Sequence, residues 1–182
     1  PRFKFSMMDM SGEDLMKVRV KSDNDKQRLN PGIEAFLSLP NNNLAFICIY
    51  PAESSLKDPE LSSYTRTFLD ELDRINHKDT PMLFIVSKWD LVADKYDTVE
   101  DFLSDRAPIV LNKVNESDRE VSLMKFSIGN VDSETDSYIY NQKNSNQLFE
   151  WMYHTQTGVK LNEDITASGG LLGKLKGLFG KN

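Results

Sequence analysis

Apolar runs of strand length alternate with segments of helical periodicity along this chain. Four runs have the length and composition of β-strands, at residues 3–8, 44–50, 82–86 and 121–126. The runs at 44–50 and 82–86 are apolar at nearly every position, which is typical of strands that are covered on both faces. We therefore expect at least part of the sheet to be buried between helices.

The segments between these runs favour helices. Pro31 and Pro59 stand where helices commonly begin, and apolar residues recur at helical spacing from Leu61 to Ile75. The stretch 99–114 predicts another helix, which Pro108 should kink or split.

The C-terminal third is less regular. Residues 132–146 read as a polar loop, residues 148–154 as a final helix, and Gly158 as the residue that ends it. Alternating strands and helices predict an α/β fold with a doubly wound, mostly parallel sheet and helices on both faces, a three-layer α/β/α arrangement. We expect the domain to span residues 1–158, followed by a linker and tail over 159–182.

Composition narrows the possible functions. The 182 residues are 39% hydrophobic and 27% charged, as in an ordinary soluble protein, and the net charge of -6 disfavours nucleic-acid binding. Cys48 is the single cysteine, so it forms no internal disulfide, and we expect a buried structural thiol. His77 and His154 are isolated, which predicts no metal cluster. Without a signal peptide or a membrane-spanning stretch, the chain is expected to be cytoplasmic.

Candidate chemistry follows the third apolar run, in Ser87-Lys88-Trp89-Asp90. The carboxyl ends of strands in open α/β sheets are where ligands bind. A carboxylate at Asp90 can accept two hydrogen bonds from an amino-imino edge such as that of guanine, while the aliphatic stem of Lys88 lies along a ring. This segment therefore predicts a binding site for a purine base.

Two other strand ends carry polar sequences, Asp9-x-x-Gly12 after the first run and Ser127-Ile128-Gly129 after the fourth. Each alone has a plain explanation, because an aspartate after a strand is usually a turn former or a helix cap. Right-handed crossovers, however, place the carboxyl ends of all the strands along one edge. We expect Asp9, Asp90 and Ser127 to meet there.

These three segments, in this order, resemble the motifs of the Ras-like GTPase superclass and, more loosely, those of bacterial double-GTPase proteins. The resemblance covers residues 3–154 and implies binding of GTP or GDP with Mg²⁺. It implies that Asp9 holds the water shell of the metal, that Gly12 senses the γ-phosphate, and that residues 14–30 form switch II, a surface for an effector or regulator.

The same resemblance assigns the base-binding residues. Ser87, Lys88 and Asp90 correspond to the Asn/Thr-Lys-x-Asp guanine motif. Ser127, Ile128 and Gly129 correspond to the Ser-Ala-Lys loop, whose backbone contacts the guanine oxygen.

Several positions depart from the family pattern. Ser87 replaces the usual Asn or Thr, and Ile128-Gly129 replaces Ala-Lys. Glu13 stands where many members carry the glutamine that orients the attacking water, so hydrolysis should be slow or depend on a partner.

The phosphate loop of the family, Gly-x-x-x-x-Gly-Lys-Ser/Thr, is missing from the sequence, and the glycine-rich residues 169–174 have the wrong spacing to replace it. We expect an upstream segment or another chain to supply that loop together with the strand that would lie between the runs at 3–8 and 44–50. The alternative is a degenerate G domain that acts as a scaffold or adaptor without turnover. Von Willebrand A domains and response-regulator receivers fit less well, since Glu13 occupies the second serine of the former's metal motif and the pair Trp89-Asp90 suits the latter poorly.

The tail has a different character. Leucines and Phe179 recur at helical spacing through residues 169–180, flanked by lysines and without acidic residues. Such a segment can lie on an anionic membrane surface or dock on its own domain or on a partner.

Overall fold

The computed structural model describes residues 7–9, 20–21, 25–26, 29–40, 43–53, 59–116, 119–132, 134–135 and 137–161. Within these residues the protein is a mixed α/β structure that contains a three-stranded parallel sheet. Two further ladders are short and antiparallel. The first pairs β1 (Val20–Lys21) with β2 (Asp25–Lys26).

Three of the predicted apolar runs form the parallel sheet, in the order β3 (Phe46–Pro51), β4 (Met82–Ser87) and β5 (Val121–Phe126). The register of the first pair runs from Phe46 opposite Met82 to Pro51 opposite Ser87. Residues 82–86 of the central strand β4 are all buried, as their continuous apolar sequence predicts. Strand β3 is less covered, because Ile49 is 63% exposed. The expectation that this strand is covered on both faces was therefore wrong.

The helices are α1 (Pro31–Leu37), α2 (Pro59–Arg74), α3 (Val99–Arg106), α4 (Pro108–Glu116) and α5 (Gln142–Thr157). The starts at Pro31 and Pro59 and the break at Pro108 are confirmed. Thr98 and Asp101 form a capping box at the start of α3, in which the side chain of each residue accepts a hydrogen bond from the backbone N–H of the other. Gly158 ends α5 in the left-handed region, at φ 71°, which a residue without Cβ adopts readily.

The polar stretch 132–146 was wrongly predicted as a loop. Strand β6 (Gly129–Asp132) pairs antiparallel with β7 (Ser137–Tyr140), and α5 begins directly afterwards at Gln142. The sequence Tyr138-Ile139-Tyr140 favours a strand, but its flanking serines and acids hid that signal. Asn141 begins the helix by accepting a hydrogen bond from the backbone N–H of Asn144, so a cap outweighs the weak helix propensity of the asparagines and serine that follow.

The predicted first strand, residues 3–8, is only partly described. Residues 3–6 lie outside the described part of the chain. Met7 and Met8 have irregular backbone and are 74% and 45% exposed, so the strand does not extend through them.

The chain forms two compact units. The first comprises residues 1–42, 53–80 and 96–121, and the second comprises residues 43–52, 81–95 and 122–182. The second unit holds nearly all of the parallel sheet and is therefore where the strand ends of interest lie.

Charged side chains tie the helices of the first unit together. The Lys113 ammonium of α4 lies 2.7 Å from Asp70 and 2.9 Å from Asp73 of α2. Arg119, whose side chain is 2% exposed, donates from Nη2 to Asp73 at 2.8 Å and to the carbonyl of His77 at 2.9 Å. Burial lowers the pKa of Arg119, and the charge of Asp73 opposes that shift. A hydrogen bond to Asp70 raises the pKa of Lys113. This network connects α2, α4 and the segment that leads into β5.

Candidate functional site

Two loops of the second unit leave the same edge of the sheet. One follows β4 and begins at Lys88, and the other follows β5 and begins at Ser127. Strands β4 and β5 are parallel neighbours, so their carboxyl ends share an edge. The strand order therefore puts the loops that carry Asp90 and Ser127 at one edge, and the predicted meeting of Asp9, Asp90 and Ser127 stays a prediction.

The loop after β4 is a tight turn that separates a buried side chain from an exposed one. Lys88 adopts the left-handed conformation with φ 56° and ψ 39°, and residues 89–91 form a 3₁₀ turn. The amide of Leu91 donates to the carbonyl of Lys88 at 3.1 Å, and that of Val92 to the carbonyl of Trp89 at 3.0 Å. Trp89 is thereby directed into the protein, at 8% exposure, while Asp90 is exposed. A left-handed lysine costs about 1 kcal/mol or more, and such backbone is concentrated at functional sites.

Ser87 is the last residue of β4 and lies beneath this turn. Its carbonyl accepts a hydrogen bond from the amide of Ala52 at 2.9 Å, which joins the ends of β3 and β4. The residue is half-buried. Its backbone therefore holds the base of the turn to the sheet.

The loop after β5 is anchored by α5. Ser127 is buried, and its carbonyl accepts a hydrogen bond from the side-chain amide of Asn144 at 3.0 Å. The carbonyl of Ile128 accepts from the amide of Asn141 at 2.8 Å. Gly129 is already the first residue of β6, opposite Tyr140, so the predicted three-residue loop is two residues long. Both loop carbonyls therefore accept a hydrogen bond from residues at the start of α5.

The two loops are also connected through a side chain of β5. The Nζ of Lys125 lies 4.9 Å from the centroid of the Trp89 ring, within the range of a cation–π interaction. Neither Lys125 nor Asn144 was predicted as a site residue. Their positions in a strand and in a polar segment carry no motif, so the sequence offered no signal for either.

One hydrogen-bond acceptor and one hydrogen-bond donor at this edge are available to a ligand. Among the described residues the Asp90 carboxylate has no hydrogen-bond or ion-pair partner, and no described acceptor receives the amide of Ile128. Ile128 itself is 62% exposed. A ligand with two adjacent N–H donors and a nearby carbonyl oxygen could use the carboxylate and the amide together.

The other predicted site residues are not all described. Asp9 belongs to the first unit and is exposed, in irregular backbone. Gly12, Glu13 and the tail over 169–180 lie outside the described residues. Within the described ranges no group of three or more His, Cys, Asp or Glu side chains could hold a metal ion. A lone exposed carboxylate fits a contact to a hydrated Mg²⁺ through water, but it does not by itself make a metal site.

Cys48 lies in β3 of the same sheet. The residue is of intermediate exposure, and burial raises the pKa of its thiol to about 12. A thiol with such a pKa carries almost no thiolate at neutral pH and is a poor nucleophile or metal ligand. Cys48 is therefore less buried than predicted, while a thiol that stays protonated is consistent with the predicted structural role.

Among the described residues no helix is both long enough and apolar enough to cross a bilayer. Comparison of the chain with protein-family models, curated proteins and solved structures gives no significant match. The geometry of the two loops and the sequence motifs that they carry are therefore the grounds on which a function can be proposed.

Proposed function

We propose that this protein binds guanine nucleotides, GTP or GDP, and that the two loops at the carboxyl ends of β4 and β5 hold the base. The Asp90 carboxylate accepts the ring N–H and the exocyclic amine of guanine. The Ile128 amide donates to the exocyclic carbonyl oxygen of guanine, and the stem of Lys88 lies along the ring. The observation that carries the proposal is the exposed carboxylate of Asp90, which has no partner among the described residues, at the sheet edge where the β5 loop presents the amide of Ile128.

Adenine lacks this pattern of groups. It presents an amine where guanine has its oxygen, so it would bring a donor toward the Ile128 amide. A site binds the wrong base much more weakly when that base leaves a polar group of the site without a hydrogen-bond partner. The arrangement therefore favours guanine over adenine, in keeping with the resemblance of Ser87-Lys88-Trp89-Asp90 to a guanine motif.

The wider fold and chemistry follow the same resemblance. In this proposal the sheet is doubly wound with helices on both faces, and the protein acts as a molecular switch. Asp9 serves Mg²⁺ through water, and residues 14–30 respond to the γ-phosphate and present a surface to an effector or regulator. Hydrolysis of GTP would be slow or partner-assisted and would require a phosphate loop that these 182 residues do not contain.

Binding of fluorescent mant-GDP and mant-ADP to the full-length protein tests the proposal. We expect GDP to bind at least about tenfold more tightly than ADP. Because Asp90→Asn removes hydrogen bonds to a charged acceptor, it should weaken GDP binding by about 10- to 100-fold. Asp94→Asn is the matched control, since Asp94 is an exposed acid four residues further along in the same unit, and it should change neither affinity.

Two results would overturn the proposal. One is equal affinity for GDP and ADP in the unmodified protein. The other is a guanine preference that survives Asp90→Asn at its original size, which would show that another residue reads the base.

A further inference from the structure

We infer that Lys125 is a positioning residue for the base site, because its ammonium holds Trp89 and thereby fixes the direction of the Asp90 carboxylate. The inference rests on the proposed function for its ligand. The structural coupling that it assumes between β5 and the turn after β4 can be tested without any nucleotide.

The turn that carries Asp90 is short and has few constraints of its own. Asp90 lies in a 3₁₀ turn of three residues that is closed by two backbone hydrogen bonds, those from Leu91 and Val92. A turn this short, entered through a left-handed Lys88, has little intrinsic stability. Its geometry therefore depends on where the Trp89 side chain is anchored.

The Trp89 side chain is in contact with a cation of the neighbouring strand. Trp89 is the buried residue of the turn, and the Lys125 ammonium lies 4.9 Å from its ring centroid. A cation at this distance is attracted by the negative face of the indole, and because Lys125 is itself exposed the attraction is of the modest size found at exposed sites. Because Lys125 comes from the neighbouring strand, this contact fixes the turn relative to β5.

The loop after β5 begins directly after the strand that carries Lys125. Ser127 follows Lys125 by two residues, and its carbonyl is held by Asn144. The backbone that carries Lys125 is therefore continuous with the loop that presents the Ile128 amide. The contact between Lys125 and Trp89 connects the acceptor at Asp90 to the donor at Ile128. The acceptor and the donor must be correctly spaced to bind neighbouring groups on the edge of one base. Loss of this contact should affect base selectivity more than global stability.

Lys125→Met tests the inference, since it removes the charge and keeps the length of the stem. Lys125→Arg is the matched control, because a guanidinium also binds the face of an indole. For Lys125→Met we expect GDP affinity to fall about two- to fivefold, in line with a lost cation–π contact, while Lys125→Arg stays near the unmodified value. The ratio of GDP to ADP affinity should fall in Lys125→Met alone.

A readout without nucleotide follows the turn directly. The amides of Leu91 and Val92 close the turn, so their hydrogen exchange should be about two- to fivefold faster in Lys125→Met and unchanged in Lys125→Arg. Trp89 emission, recorded in a Trp151→Phe background because the chain has two tryptophans, should shift in Lys125→Met. If Trp151→Phe fails to fold, the exchange measurement stands alone.

These measurements separate the two claims. If Lys125→Met leaves the exchange of Leu91 and Val92 and the GDP affinity unchanged, the inference about Lys125 is wrong even if guanine still binds. If the unmodified protein shows no guanine preference but Lys125→Met accelerates exchange, the proposed function is wrong and the coupling between β5 and the turn stands. Equal effects of Lys125→Met and Lys125→Arg would also overturn the inference, because they would show that the charge does not act on the ring.

Discussion

Asp73 should contribute more to the stability of this chain than Asp70, although both contact the same lysine. The two carboxylates lie on α2 and both bind Lys113. Of the two, Asp73 alone also forms an ion pair with Arg119, whose side chain is 2% exposed. The side chain of Asp73 is 23% exposed, whereas that of Asp70 is 50% exposed. Substituting asparagine at each position removes one charge and keeps the shape of the side chain.

The magnitude follows from burial. Removing one partner of a fully buried ion pair costs about 3–5 kcal/mol, because the other charge is left uncompensated. Asp73 is partly solvated, and the asparagine oxygen can still accept from Arg119, so we expect about 2 kcal/mol for Asp73→Asn. Asp70→Asn removes an exposed pair and should cost less than about 1 kcal/mol.

Urea unfolding followed by circular dichroism measures both values. With a denaturant slope of about 1–3 kcal/mol per molar, a loss of 2 kcal/mol shifts the midpoint by about 1 M. In a double-mutant cycle with Arg119→Met, Asp73→Asn should show a coupling of at least about 1 kcal/mol. Equal losses for Asp73→Asn and Asp70→Asn, or no coupling to Arg119, would refute the argument that burial of Arg119 sets the difference.

Two other predictions concern Cys48 and the tail. The pKa of the folded Cys48 thiol is about 12, against 9.0 for the free side chain, so between these values the unfolded chain releases a proton that the folded chain keeps. The free energy of unfolding should therefore decrease with rising pH above about 9, by at most about 1.4 kcal/mol per pH unit, and pH-dependent urea unfolding should show this slope disappear in Cys48→Ala. For the tail, the amphipathic pattern of residues 169–180 predicts sedimentation with anionic liposomes, which Leu172→Asp combined with Phe179→Asp should abolish. Undiminished sedimentation of that double variant would contradict the membrane interpretation.

The sequence predicted elements best where one local signal dominated. Residues 82–86 were recognised from continuous apolar sequence, residues 121–126 from a mostly apolar run of strand length, and prolines located the start of α2 and the break before α4. For β4 burial, and at the two prolines the pyrrolidine ring, decides the structure almost alone. The hairpin of β6 and β7 was missed because the strand signal of Tyr138-Ile139-Tyr140 is short and flanked by polar residues, and a linear pattern does not show its pairing with β6.

The residues of the candidate site also differ in whether a local signal in the sequence marks them. Lys88 and Asp90 are predicted as site residues because a motif follows a strand, and the strand order brings the β5 loop to the same edge. The contacts of Lys125 and Asn144 depend on which strand and helix are neighbours in space, so no spacing along the chain could predict them. Arg119 was missed for a related reason, because a single arginine in a polar segment gives no sign that it will be buried against Asp73.

The most direct test of the central claim is to exchange hydrogen-bonding groups on the base and the protein together. Xanthine carries an oxygen where guanine has its exocyclic amine, so it suits an amide at position 90 better than a carboxylate. We predict that the unmodified protein prefers GDP to xanthosine diphosphate and that Asp90→Asn reverses this preference in competition binding. If Asp90→Asn binds the two nucleotides in the same ratio as the unmodified protein, Asp90 does not contact the base.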